Sequence, residues 1–268
     1  MSKYTVCGYD IEVMHARMLE IATEVDRICK EQGFKCSLYG GSVIGAVRHN
    51  GFIPWDHDID MAMPRKDYDK FVKFMKKNKN EKIFFSNYKS EKRYPNSWGK
   101  VRLNGTVFLE KELADLKELH KGVFIDLHPI DNIIPCFLKL QVRLTMFWSC
   151  VGQVKSGIYN GNKIKQMVYG LFSWLPYGFI NSMRSFSMKM FKWLPTKYVY
   201  KVAHPNNGVY PIPRCTFEKL IEHKFEDKIF FIPENYDEFL TKRYGDYMKI
   251  PPESEIYECC TTIMECKL

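Results

Sequence analysis

The chain has 268 residues, of which 46% are hydrophobic and 15% aromatic, and it carries a formal net charge of +9 with a pI near 9.0. Such a chain is ordinary for a globular protein, long enough for one core with an elaboration and too long to need disulfide staples. The positive excess points to an anionic partner, such as a nucleotide, a phospholipid surface or an acidic glycan; no nucleic-acid motif accompanies it, so no nucleic-acid partner is expected.

Nine cysteines, an odd number without a CxxC pair, fit a reducing compartment. Cys259, Cys260 and Cys266 cluster near the end but lack paired ligand spacing, so they are not assigned to zinc. The first residues carry Asp10 and Glu12 and no apolar core of a signal peptide, and no run of about 18 apolar residues occurs. The expected place is the cytoplasm.

In chain order, Ile11, Met14, Met18, Ile21, Val25 and Ile28 recur at the 3.6-residue period and predict a helix over 10–32, stopped by Gly33. Cys36 to Tyr39 reads as a short strand ending at Gly40-Gly41. Ser42 is expected to cap a helix running to about Arg48. Ile53-Pro54-Trp55 is expected to be extended. Asp58 to Met63 reads as a strand, which would project Asp58 and Asp60 to one side while Ile59 and Met61 enter the core. A helix follows over 66–77. Strands are expected over 82–87, over 98–103 with Lys100 and Arg102 on one face, and over 122–127 around Asp126.

The stretch 132–217 contains no Asp or Glu, yet holds eleven Lys and Arg beside Trp148, Trp174 and Trp193. Helices are expected over 137–154, 163–174 and 179–193. This basic, aromatic-rich segment suits either an ordinary helical subdomain or contact with the headgroups of an anionic membrane. Lys189, Lys192 and Lys197 are the cations expected to meet such a surface. Residues 225–232 read as one strand, and a short helix ends at Gly245. The chain thus divides into a catalytic core (1–131), a basic helical subdomain (132–217), a segment returning to the core (218–252) and a mobile tail (253–268).

Two carboxylates on one strand face repel, and a hard divalent cation, Mg²⁺ or Mn²⁺, resolves the conflict. Asp58 and Asp60 are the expected ligands, with Asp56 beside them. A turn at Gly41 and Ser42 lets phosphate oxygens approach the backbone. Arg48, Lys100 and Arg102 are expected phosphate clamps, and Trp55 a wall against a base or a quaternary ammonium. Asp126 completes the metal site or accepts a proton. A Gly-Ser turn, a carboxylate-apolar-carboxylate strand and a lone carboxylate on a later strand resemble the nucleotidyltransferase fold, an α+β architecture with a mixed sheet flanked by helices.

A narrower likeness follows from three blocks: GAVRHNGFIPWDHDIDMAMPRKDYDKF at 45–71, GVFIDLHPIDNIIP at 122–135, and FEDKIFFIPENYDEFLTKRYGDYMKIPP at 225–252. These resemble the LicD family of phosphocholine transferases, which is related to fukutin-related protein. The resemblance implies metal-dependent transfer of a phospho-alcohol, usually phosphocholine from CDP-choline, to a hydroxyl of a glycan or teichoic-acid precursor. Asp58 and Asp60 match the family's metal pair and Asp56 the first acid of its cluster, whereas His57 stands where the bacterial pattern has Asp. The implied partners are CDP-choline or a related CDP-alcohol donor (CDP-ribitol or CDP-glycerol) and a lipid-linked glycan acceptor, with the protein peripheral at the inner face of the membrane. A catalytically silent glycan- or membrane-binding protein is the contrasting reading, and the intact Asp58, Asp60 and Asp126 argue against it.

Overall fold

The computed structural model describes residues 4–6, 8–204, 208–252, 256 and 263–268. A short hairpin, β1 (Thr5–Val6) and β2 (Tyr9–Asp10), leads into α1 (Ile11–Gln32). Asp10 caps this helix by accepting a hydrogen bond from the Glu12 amide (3.1 Å). Gly33 ends it in the left-handed region (φ 64°), where the Gly amide reaches the Cys29 and Lys30 carbonyls. The predicted apolar face of α1 is buried along its whole length.

After β3 (Ser37–Leu38), the chain turns at Gly40 into α2 (Gly41–Ile44), which widens into one π-helical turn over Gly45–His49. Gly40, not Ser42, occupies the cap position. The Ser42 hydroxyl instead accepts the Asp60 amide (2.8 Å), tying this turn to the next strand. A side chain at Gly45 would lie 2.5 Å from the Gly51 carbonyl, so the tight return after the π-turn requires glycine there. Pro54-Trp55 is a turn rather than extended, closed by the Asp56 amide on the Ile53 carbonyl (2.9 Å).

The remaining core strands are β4 (Asp60–Pro64), β5 (Ile83–Ser86), β6 (Gly99–Leu103), β7 (Val107–Glu110) and β8 (Phe124–Ile133), with α3 (Arg65–Lys77) between β4 and β5. Strand β8 organises the sheet. One edge pairs in parallel with β4; the other pairs antiparallel with β6 over its first half and with β9 (Tyr198–Tyr200) over its end. Strand β3 continues the sheet beyond β4, β10 (Ile212–Pro213) beyond β9, and β5 beyond β6. This is the expected mixed sheet flanked by helices. Both faces of β6 are buried, because α1 packs on this part of the sheet as well.

Three helices, α4 (Leu138–Ser156), α5 (Lys163–Gly170) and α6 (Tyr177–Met188), fill the first part of the acid-free stretch, whose end returns to the sheet as β9 and β10. The second and third are shorter than their aromatic spacing suggested, since turns replace their final residues. α4 packs along α6, and a buried Arg65–Asp131 ion pair (2.6 Å) fixes the start of α3 to the end of β8. Lys189 and Lys192 both reach Asp69 on α3 (2.8 and 3.0 Å). They clamp the helical part to the core, which removes them from the set of cations expected to face a membrane.

The strand expected over 225–232 is the second half of a hairpin: β11 (Leu220–Phe225) turns at Glu226, with φ 55°, into β12 (Lys228–Pro233). The Glu226 carboxylate accepts the Phe52 amide (2.9 Å) and thereby holds the loop that precedes the acidic cluster. After α7 (Tyr236–Tyr244), the expected mobile tail is corrected at its end: β13 (Ile263–Lys267) pairs antiparallel with β7. Cys259 and Cys260 lie outside the described residues.

Candidate active site and metal centre

Register builds the site. In the parallel pair Asp60 stands opposite Asp126, and in the antiparallel pair Lys100 stands opposite the same Asp126. Residues opposite one another share a face, and His128 lies two residues beyond Asp126 on that face. Asp60, Asp126 and His128 each offer one ligand atom, and the three atoms lie within 4.8 Å of one another. The Nε2–H of His128 donates to Asp60 Oδ1 (2.8 Å), which leaves the other carboxylate oxygen turned towards Gly40: a side chain there would meet Oδ2 at 3.4 Å. At Gly41 a side chain would meet Asp56 Oδ2, also at 3.4 Å. The glycine turn therefore stands against the carboxylates with no side chain of its own.

Asp58 and Asp56 sit beside this group, outside that trio. The chain joins the sheet only at Asp60, so Asp58 does not share a strand face with it as the sequence suggested. Its influence is electrostatic. The neighbouring Asp56 carboxylate, burial, and then Asp60 and Asp126 push the Asp58 carboxyl well above the usual carboxylate range. Burial and Asp60 push Asp56 up to about 6. Asp60 behaves differently: burial raises it, but His128, Lys201 and His204 outweigh that and hold it at about 2. Asp126 Oδ1 is buried without a hydrogen-bond donor and faces the Lys100 ammonium at 3.5 Å. Four acids thus converge on one strand end, and two of them, Asp56 and Asp58, hold a proton more tightly than an isolated carboxylate does. Oxygen-rich donors with an undonated buried oxygen fit a hard divalent cation, while Asp–His pairing of this kind also suits Mn²⁺.

The other expected site residues divide. Arg102 is 1% exposed, with one arm on the Gly122 carbonyl (3.0 Å) and another on Glu110 (3.4 Å). It is a buried structural cation and not a phosphate clamp. Lys100 is buried too, shared between Glu110 (3.0 Å) and Asp126, with the Phe124 ring under its ammonium at 3.2 Å. It meets the acids rather than open solvent. Arg48 bonds the Tyr247 and Lys249 carbonyls (2.7 and 3.1 Å) and His49, so its guanidinium holds the C-terminal loop. Trp55 is half-buried between His49, Tyr4 and the Arg48 guanidinium. At the glycine turn the Ser42 and Val43 amides are already taken by the Tyr39 and Gly40 carbonyls. These amides are spent within the turn, and what Gly41 contributes is clearance.

Sequence reading missed two groups. Lys201, just after β9, is buried over the Tyr39 ring, and burial lowers it to about 8 even though Asp60, Asp126 and Asp58 pull it upward. His204 stacks on Trp98 (4.1 Å, 8°), 6.0 Å from the His128 ring, and burial with Lys201 lowers it to about 3. A lysine inside the apolar run YVYKVA was the signal for the first. Arg102 offers a check on these placements. Arg102→Lys is expected to lower the thermal midpoint, since a buried fork is lost at a cost of roughly 2–4 kcal/mol, about 4–16 °C for this size. Activity per folded molecule should stay within a few fold; a large rise in donor KM would return Arg102 to the phosphate.

A mixed sheet that brings two carboxylates into register beneath a Gly-Gly-Ser turn defines a nucleotidyltransferase-type fold. Residues 33–130 match the family model described as "LicD/FKTN/FKRP, nucleotidyltransferase domain". The lipopolysaccharide cholinephosphotransferase LicD of Haemophilus influenzae is 28% identical over 255 residues, 88% of this chain and 91% of that protein. The ribitol 5-phosphate transferases FKRP of mouse and human are each 40% identical over 48 residues, 18% of this chain and 10% of theirs. These likenesses support a phospho-alcohol transferase.

Proposed function

We propose that this protein transfers phosphocholine from CDP-choline to a hydroxyl of a cell-surface glycan or teichoic-acid precursor, using Mg²⁺ or Mn²⁺. The observation that carries this reading is the Asp60–Asp126–His128 group, in a chain similar along most of its length to a cholinephosphotransferase. Asp60 and Asp126 would hold the cation, with His128 orienting Asp60 through its Nε2–H. When bound, the cation neutralises charge on the donor pyrophosphate and the departing CMP. Asp58, whose neighbours raise its proton affinity, is suited to accept the proton of the acceptor hydroxyl. Lys201 adds a fixed positive charge beside the transferred phosphate, and the Trp98–His204 stack forms an aromatic wall next to the acids. Among the described residues no helix is long and apolar enough to cross a membrane.

A second donor, CDP-ribitol, is favoured by the 48-residue likeness to the ribitol 5-phosphate transferases. Calorimetric titration separates the two. CDP-choline, CDP-ribitol, CDP-glycerol and CMP are each titrated into the protein with and without Mg²⁺ or Mn²⁺. Cation-dependent binding that favours CDP-choline over CMP is expected. Preference for CDP-ribitol would move the assignment to that donor, and absence of binding with cation present would overturn the transferase reading.

A further inference from the structure

Helix α5 is amphipathic and turned the wrong way round for an ordinary surface helix. Ile164, Met167, Val168 and Leu171 follow the i, i+3, i+4, i+7 spacing of one apolar face. In a globular helix that stripe enters the core. Here the helix has no buried residue, and Ile164, Met167 and Leu171 are 73%, 74% and 72% exposed. Trp174, at the end of the following turn, is 76% exposed.

The outward stripe is not a loose segment. Asn162 caps the helix through the Ile164 and Lys165 amides (2.9 and 3.3 Å). Tyr169 and Phe172 pack edge-on against Phe147 of α4 (5.5 and 5.3 Å), and Lys155 donates to the Ser173 carbonyl (2.7 Å). One side of α5 is thus anchored by aromatic contacts and a lysine, and this anchoring fixes the aliphatic stripe outward. Holding three aliphatic side chains in water costs the hydrophobic gain of burying them, so a covering surface is called for.

Charge selects the cover. Lys163 and Lys165 are exposed on the first turn, Lys139 and Arg143 are exposed on α4, and residues 132–217 hold no carboxylate at all. A second copy of this face would oppose like charges. We propose that α5 and the turn to Trp174 dock on an anionic phospholipid bilayer, with the aliphatic stripe and Trp174 in the headgroup–acyl boundary and the flanking lysines on lipid phosphates. A helix of eight residues is about 12 Å long, too short to span, and suits lying in the interface plane.

The test is co-sedimentation of the full chain with vesicles of phosphatidylcholine alone or mixed with phosphatidylglycerol, across a salt series. It does not depend on which group the protein transfers. Wild type is expected to bind the mixed vesicles, more weakly as salt rises, and to leave the pure phosphatidylcholine vesicles largely unbound. The triple variant Ile164→Gln, Met167→Gln, Leu171→Gln should lose roughly tenfold or more in partitioning, and its thermal midpoint should hold because these side chains are already in water. Lys163→Gln with Lys165→Gln should cost several fold, about what two interfacial cations supply. Wild type that fails to bind, a triple variant that binds as wild type does, or equal binding to both vesicles would overturn the proposal. So would a dimer that the triple variant dissociates without any vesicle binding, since the cover would then be a second copy.

Discussion

Asp58→Asn is expected to raise the thermal midpoint of the cation-free protein while lowering kcat by about three orders of magnitude or more, the scale at which a lost proton acceptor and site charge act together. Stability and turnover should move in opposite directions because the same carboxylate is a burden to the fold and a tool for the chemistry. Asp56, Asp60 and Asp126 all raise its proton affinity, with Lys100 the cation that opposes them. The amide keeps the shape and removes the repulsion. Asp60→Asn should behave differently: turnover falls as steeply, but the midpoint falls too, because this carboxylate is held at about 2 by His128, Lys201 and His204. Losing that favourable ionisation costs roughly 2 kcal/mol. Thermal melts and single-turnover assays on the two variants check the pair. A lower midpoint in Asp58→Asn, or more than a tenth of wild-type turnover in either, would remove the assigned roles.

Much of this centre was legible because strands carry a two-residue period. Ile59 and Met61 had to be buried, so Asp60 had to face the other way, and the apolar run around Asp126 supplied the neighbouring strand. Asp58 was misplaced by the same rule applied one turn too early: the strand begins at Asp60, where the Ser42 hydroxyl takes the first amide, and Asp58 precedes it. Lys100 and Arg102 were misread because alternation on β6 suggested one wet face, and Glu110 on β7, which neutralises both, carries no local signal of that partnership. The strand expected over 225–232 was started too early, and its partner β11 went unseen, because Glu226 takes the left-handed turn position without a glycine to mark it. Lys201 and His204 reach the site from more than 70 residues beyond Asp126, through the antiparallel return of β9 beside β8. Only the sheet topology brings them there.

That crowding of acids also makes cation binding a function of pH. At neutral pH a saturating cation, at about a hundred times its Kd, should stabilise the fold by about 2.7 kcal/mol, a rise of roughly 5–11 °C in midpoint. The rise should shrink as pH falls through about 6, where Asp56 takes up a proton in the folded state, with Asp58 already inclined to hold one. The sign follows from competition. The cation needs ionised carboxylates, so below the folded-state value each proton displaced weakens binding about tenfold per pH unit, or about 1.4 kcal/mol, until saturation is lost. Absolute stability is a poorer readout, since buried His15, His57, His128 and His204 all have lowered values and pull the other way: the unfolded chain protonates them first as pH falls below 6.5. Their contribution is nearly the same with and without cation and cancels in the difference. Melts with Mg²⁺, Mn²⁺ and chelator, taken from about pH 5 to 8, therefore isolate the carboxylates. A rise independent of pH would mean that the cation does not displace protons from Asp56 and Asp58. No rise at any pH would mean that Lys100 and Lys201 already neutralise the acids, and that the oxygens left without donors await the phosphate's own counter-charges instead of a metal.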